Sequence, residues 1–197
     1  MSALVLPLKG KLLAFESENF LFSSLRDEDI SDEYIGWLNN PKINTFLEAG
    51  KVKQDFFTII NYVNYLRSFS DCDLFTIRYR KSMLHVGNLT LTFNQDLRVG
   101  TYGLMIGLHD QPVGSLAAVE SSIAMIDYVF YILGKERDLQ EVNPDNTRAL
   151  KLIDFLGFKE IVKPNKKGSR VFQVTRDHWF SNREKYFNFS KIIEVLN

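Results

Sequence analysis

Tyr102-Gly103-Leu104-Met105-Ile106-Gly107, running on into Gln111-Pro112-Val113-Gly114-Ser115-Leu116-Ala117, is the stretch on which the fold turns. Its first half alternates as a strand and its second half opens a helix. The first-turn N–H groups of a helix have no partner within it, so a strand, a short loop and a helix start form a natural anion site. A second unit follows in Glu141-Val142-Asn143-Pro144-Asp145-Asn146. Residues 138–142 read as a strand, Asn143 as the cap of a helix and Pro144 as its first residue. Ala149, Leu152, Ile153 and Leu156 form the apolar face of that helix, and Gly157-Phe158 its left-handed stop.

Upstream, residues 74–79, 85–93 and 100–106 alternate as strands around a turn at Arg80-Lys81-Ser82, which predicts an antiparallel meander. Before the meander, residues 54–69 repeat Phe56, Ile59, Ile60, Val63 and Leu66 at helical spacing. An earlier helix carries Tyr34, Ile35, Trp37 and Leu38; Asp29 or Ser31 caps it, and it stops near Asn39-Asn40-Pro41. A short amphipathic piece holds Ile43, Phe46 and Leu47, and residues 20–26 read as a strand. Downstream of Gly114, the central helix sets Leu116, Val119, Ile123, Ile126, Phe130 and Leu133 on one stripe and ends at Gly134, so it should lie nearly buried against the sheet. A last hairpin pairs residues 158–162 with 171–174, and Asp177 caps a helix containing Trp179 and Phe180. The organisation expected is an N-terminal extension (1–19), one domain (20–180) and a C-terminal helical tail (181–197). The fold class is α+β, with a central, mixed, mostly antiparallel sheet flanked by helices.

For 197 residues, one core is the default. Lys and Arg number 24 against 24 Asp and Glu, so no net charge draws the chain to nucleic acid or a membrane surface. Lys163, Lys166, Lys167 and Arg170 gather at the tip of the last hairpin and read as a solvated turn. No apolar run approaches the roughly 18 residues of a membrane span, and the N-terminus lacks a signal-peptide layout. The single cysteine, Cys72, excludes an internal disulfide framework and fits a reducing cytoplasm. Asp71 and Asp73 flank it and should raise its pKa, which argues against a nucleophile. His85, His109 and His178 are too scattered for a metal site, and no metal is expected.

The order and separation of the two motifs resemble the GNAT N-acetyltransferases over roughly residues 20–179. That family's loop before the central helix follows Arg/Gln-x-x-Gly-x-Gly/Ala. Gln111 and Gly114 match it, and Leu116 stands at the final small position. The second motif, Asn146-x-x-Ala149 followed by Gly157-Phe158, matches at the family's spacing. The resemblance implies acetyl-CoA as cofactor, bound by Leu104, Met105, Ile106, Gln111, Val113, Gly114, Ser115, Leu116, Ala117, Asn143 and Asn146. The strands at 102–106 and 138–142 would splay at a bulge, leaving backbone groups of Leu104 to Ile106 for the pantetheine amides. Asn146 would lie close to the reaction centre.

Many members carry a tyrosine seven residues after that asparagine as proton donor; here Ile153 stands in its place and can donate nothing. Glu48, in the acceptor-side loop, is the first choice for a catalytic carboxylate. His109 and Asp110 precede the phosphate loop, and Tyr102 could face the cleft. Glu120 reads as a carboxylate facing solvent or a partner.

Leu25-Arg26-Asp27-Glu28-Asp29, Trp37-Leu38-Asn39-Asn40-Pro41 and Val174-Thr175-Arg176-Asp177-His178-Trp179 look like the branches that modify bacterial amino sugars or ribosomal-protein N-termini. The implied reaction is acetyl transfer to a primary amine, first that of a nucleotide-linked amino sugar, with Arg26, Trp37 and Asn40 facing sugar or phosphate. A peptide N-terminus is the second acceptor, and a homodimer is compatible with either. A GNAT-fold binding module without catalysis is the alternative that Leu116 and Ile153 favour.

Overall fold

A computed structural model describes residues 14–94, 99–108, 110–161, 168–187 and 194–195. His109, Lys163, Lys166 and Lys167 therefore lie outside the described residues, as does most of the 1–19 extension. The strands are β1 (Ala14–Glu16), β2 (Phe20–Ser24), β3 (Cys72–Tyr79), β4 (Leu84–Asn94), β5 (Val99–Ile106), β6 (Arg137–Val142), β7 (Lys159–Glu160), β8 (Arg170–Thr175) and β9 (Glu194–Val195). The helices are α1 (Asp32–Asn39), α2 (Pro41–Asn44), α3 (Phe56–Arg67), α4 (Pro112–Asp127), α5 (Thr147–Phe155) and α6 (Arg176–Asn182). The strands join one mixed sheet in the order β7-β8-β6-β5-β4-β3-β2-β1-β9. Only β5 and β6 pair in parallel; the other described pairs are antiparallel. This is the α+β arrangement expected from the sequence.

Helices cover both faces. On one, α4 and α5 close the main core, with Ile123, Met125, Val129, Leu156 and Trp179 buried against Phe75, Ile77, Leu89 and Leu91 of the sheet. On the other, α1 and α3 bury Tyr34, Trp37, Leu38, Ile59 and Val63 with Met105. With the π turn Tyr128–Ile132, α4 makes a continuous helix of 21 residues that is apolar enough to span a bilayer by composition. Of its most apolar 18-residue stretch, 72% is buried inside the fold, as in a core helix.

Local chemistry settles the helix starts. Ser31, of the two candidates, caps α1 by accepting Tyr34 N–H at 3.2 Å. Asp29 instead accepts from the Arg26 backbone N–H and pairs with Arg78. The cap of α5 is Asn146 and not Asn143: Asn143 Oδ1 accepts Asp145 N–H at 2.9 Å, closing a side-chain turn that delays the helix. Asn146 Oδ1 then accepts Ala149 N–H at 3.1 Å. Likewise Thr175, not Asp177, caps α6. The tail beyond 181 is not wholly helical. After a 3-10 turn at Arg183–Tyr186 it ends in β9, which pairs with β1 and extends the sheet.

Glu120 is wholly buried, contrary to its reading as a surface carboxylate. It accepts Asn19 N–H at 2.7 Å and Asn19 Nδ2 at 2.9 Å, tying the β1–β2 turn to the central helix. Asp127, at the end of α4, accepts from Trp179 Nε1 at 2.8 Å and from Arg183 Nε and Nη2 at 2.9 and 2.8 Å. That ion pair fixes α6 and the turn after it to the main core.

Candidate active site

The parallel contact between β5 and β6 is brief. Val99 lies opposite Arg137 and Gly100 opposite Asp138, and the two strands pair no further. Beyond that point β5 stays with β4 as far as Ile106 opposite Gly87, and β6 stays with β8 as far as Val142 opposite Arg170. Each strand satisfies its backbone on its outer side while the space between them opens. The expected bulge is not in β5, whose ladder with β4 is regular. It lies in β4, where Ile77 faces Gly87 and Arg78 faces His85, leaving Val86 as the extra residue.

The orientation of the open edge follows from one hydrogen bond. Gly107 N–H donates to Val86 O at 2.9 Å, on the β4 side. Backbone groups alternate sides along a strand, so the N–H and C=O of Leu104 and Ile106 point into the gap, while those of Met105 point to β4. The Met105 side chain instead packs with α1 and α3.

A short connection leads from β5 to α4. Gln111 is the N-cap, with Pro112 at the first helical position. Its side chain makes no cap hydrogen bond, and the first turn carries no acidic residue. Gly114 N–H turns back to Gln111 O at 2.9 Å, a tight first turn with Ser115 exposed beside it. Leu116 packs against the main core, so its bulk is directed away from the loop. Ala117 is fully buried, a turn inside the helix. The arrangement puts a helix start whose first turn carries no acidic residue, with Asp110 just before its cap, beside an open strand edge, which suits a diphosphate followed by an amide-bearing arm.

A cleft of about 810 Å³ lies at the C-terminal end of β6. Asn44, Thr45, Phe46 and Leu47, from the end of α2 and the loop after it, and Lys51, from the 3-10 turn Glu48–Lys51, line it together with Glu141, Asn143 and Ser169. Glu48 opens that turn, and its side chain lies outside what is described. Gly50 is required there: a Cβ would stand 2.5 Å from Asn44 O. The structure places Leu104 and Ile106 on the open edge of β5, residues 111–115 at the start of α4 and Asn143 in the cleft at the end of β6. The acceptor-side loop expected at residues 44–48 does line the cleft, through Asn44, Thr45, Phe46 and Leu47; sequence reasoning missed Lys51, Glu141 and Ser169 as cleft residues. Only Glu141 left a signal, as the polar outward residue between buried Gln140 and Val142.

Other candidates lie elsewhere. Trp37 is buried, 5.0 Å from the His85 ring, and belongs to the core beneath α1. Asn40 caps α2 by accepting Lys42 N–H, and Arg26 pairs with Glu28 on the surface. None of the three lines the cleft. Ile153 is buried in the main core. Arg170 forms a two-pronged pair with Glu160 at the hairpin. Burial and the neighbouring Asp73 and Asp71 push the Cys72 thiol up to about 11, so it stays protonated.

Tyr102 faces α4, not the cleft, in company with Asp138, where the gap closes. Burial drives Tyr102 upward, and the Asp138 charge adds to the shift. Burial also raises Asp138 well above the usual carboxylate range, against one hydrogen bond to Oδ1 from Gln140 Nε2 at 2.8 Å. Because its folded pKa exceeds its unfolded one, this group favours folding below about pH 4, and that contribution is lost as pH rises through the folded value. Asp138→Asn is therefore expected to match the native chain in melting temperature near pH 4 and to exceed it at pH 7–8. Melting curves across that range check this; a variant less stable at pH 8 than the native chain contradicts it.

No family model matches the chain, and no curated protein does. Solved structures do. A GCN5-related N-acetyltransferase from Brucella melitensis superposes with a TM-score of 0.74 at 19% identity, over 95% of this chain and 90% of that one. FdhC, a nucleotide-linked sugar GNAT solved without ligand, gives 0.70 at 20%, over 88% and 96%. A spermidine N-acetyltransferase from Vibrio cholerae, in complex with CoA and spermine, gives 0.67 at 18%, over 82% and 98%. These superpositions show that the chain has the fold of the GNAT acetyltransferases.

Proposed function

We propose that this chain is an acetyl-CoA-dependent N-acetyltransferase whose acceptor is the primary amine of a small molecule, first a nucleotide-linked amino sugar. The observation that carries the reading is the divergence of β5 and β6 beyond Gly100 and Asp138, directly beside the start of α4. The residues fit the cofactor. Residues 113–115 would face its diphosphate, and Leu104 and Ile106 would pair with its amides as an added strand. Bound there, acetyl-CoA supplies an activated thioester at the mouth of the β6 cleft, where Asn143 stands. Asn146 uses its carbonyl oxygen to cap α5 and keeps its Nδ2 donors for the cofactor arm.

An amino sugar suits the cleft on two grounds. Beside Phe46 and Leu47, its lining includes amide, hydroxyl and charged groups that offer donors and acceptors for sugar hydroxyls. FdhC, which acts on a nucleotide-linked sugar by its description, is among the similar folds. The core-directed Leu116 removes one of the two features that favoured a catalytically dead binding module. Coenzyme A release, followed with a thiol reagent against amino-sugar nucleotides, polyamines and short peptides, tests the reading. Turnover with the amino-sugar nucleotides above the other two classes is the expected result. Release with peptides alone moves the acceptor to an N-terminal amine. Tight acetyl-CoA binding without release for any amine leaves the binding module.

A further inference from the structure

Helix α3 turns an uncharged, aromatic face to solvent. Its inner positions Ile59 and Val63 are buried, and Ile60 and Leu66 partly so. Phe57, Asn61 and Tyr65, spaced four apart, follow one another along the exposed side. Six of the twelve exposed large apolar side chains among the described residues fall on this short stretch: Val52, Phe56, Phe57, Tyr62, Tyr65 and Phe69. Phe57 is 74% exposed and Tyr65 61%. A surface helix ordinarily carries charge on that side. Residues 56–66 carry none, and the charges at the two ends are held close to the chain. Asp55 caps α3 by accepting Thr58 N–H at 2.7 Å, while Arg67 donates to Asp27 at 2.6 Å and to Leu25 O at 2.7 Å.

The rings gather at the two ends of the face. Phe56 meets Phe57 edge-on with centroids 5.8 Å apart, and Tyr65 meets Phe69 in the same way at 4.9 Å. Exposed Asn61 stands between the two pairs, near the middle of the helix. Aromatic rings with few charges are the composition of an interface core, and charges at the ends are that of its rim. At about 200 Å² per ring, these exposures leave on the order of 500 Å² of aromatic surface in water. A standard interface covers about 800 Å² per partner, so the rings alone supply more than half of one.

Symmetry selects the occupant. A residue on a two-fold axis meets its own copy, so a charge there repels itself, whereas an asparagine can both donate to its twin and accept from it. Phe57 lies four residues before Asn61 and Tyr65 four residues after it. Two copies of α3 laid antiparallel with Asn61 on the axis therefore set Phe57 against the partner's Tyr65, twice. We propose that the protein forms a dimer through α3 in this way. Each Phe56–Phe57 pair packs on the partner's Tyr65 and the partner's Phe69, the two Asn61 amides bond each other, and Asp55 and Arg67 lie at the rim. The pairing is independent of which amine the β6 cleft accepts.

Sedimentation velocity over a series of concentrations, with a melting curve for each variant, tests this. The native chain is expected to dimerise with a micromolar dissociation constant. Asn61→Asp and Asn61→Lys each place like charges together on the axis and should weaken the dimer about 100-fold, with Tm nearly unchanged because the position is exposed. Mixed in equal amounts, the two variants should associate again, since opposite charges then meet. Tyr65→Ser should weaken the native dimer about 10-fold. A native chain that stays monomeric at every concentration overturns the proposal and leaves the face to a different protein. A dimer that both Asn61 variants leave intact overturns it as well, because the contact then lies elsewhere. Variants that dissociate but do not recover on mixing put residue 61 off the axis and overturn the two-fold pairing.

Discussion

Replacing Arg183 by methionine is expected to lower stability by about 3–5 kcal/mol, which for a chain of this size lowers Tm by about 10 °C. The side chains of Arg183 and Asp127 are 3% and 0% exposed, and the guanidinium meets the carboxylate through both Nε and Nη2. Methionine fills similar volume, so the loss comes from the carboxylate rather than from a hole. Asp127 remains shielded from water, with Trp179 Nε1 still donating but its counter-charge gone. Such a group either unfolds its surroundings or takes up a proton. Arg183→Lys keeps the charge without the two-pronged geometry and should fall between the two. The double variant Asp127→Asn with Arg183→Met should regain part of the loss, because no unpaired charge is then buried. Urea unfolding of the four chains measures this; a loss below 1 kcal/mol for Arg183→Met contradicts the account.

Gly107→Ala is the second large effect. A Cβ at that position would lie 2.0 Å from Trp37 Cδ2 and 2.1 Å from Cε2, well inside contact distance. The ring cannot retreat easily, since it is buried and packs on His85 at 5.0 Å and near Tyr34 at 6.3 Å. The crowding should cost about 1–3 kcal/mol and move α1 relative to the end of β5. Gly107 follows Ile106 directly, so the same movement disturbs the open strand edge and should weaken acetyl-CoA binding. Trp37→Leu removes the clashing ring at its own cost of lost packing. Combined with Gly107→Ala it should be less damaging than the sum of the two, with a coupling of about 1–2 kcal/mol. Additive losses would mean that the ring and the glycine do not constrain each other.

Much of the fold could be read along the chain because most of its elements carry their own signals. The meander alternates, α3 and α4 repeat at helical spacing, and Gly157 sits at φ +79° where the α5 helix was expected to stop. The errors were ones of competition between adjacent groups. Asn143 and Asn146 are both good caps, and only the closing of the Asn143–Asp145 turn decides between them. Glu120 reads as a surface carboxylate because its partner, Asn19, is a hundred residues away and supplies two N–H groups from a turn. The strand at the end of the tail depends on β1, itself only three residues long.

The candidate site was legible in part. The residues at the start of α4, Gln111 to Ser115, follow one another in sequence, so that segment could be picked out from the chain alone. The cleft is made by segments far apart in sequence: residues 44–51 on one hand, and the end of β6 with Ser169 on the other. Glu141 was in plain view as an outward strand residue, but nothing local says that Asn44 and Lys51 line the same cleft. Leu116 had looked like an obstruction; its packing against the core is a tertiary fact.

The most direct measurement is backbone amide exchange with and without saturating acetyl-CoA. The account predicts new protection at Leu104, Ile106 and residues 113–115, with little change along β1, β2 and α3. Absence of binding, or protection elsewhere with these amides unchanged, would contradict a cofactor site between β5 and β6.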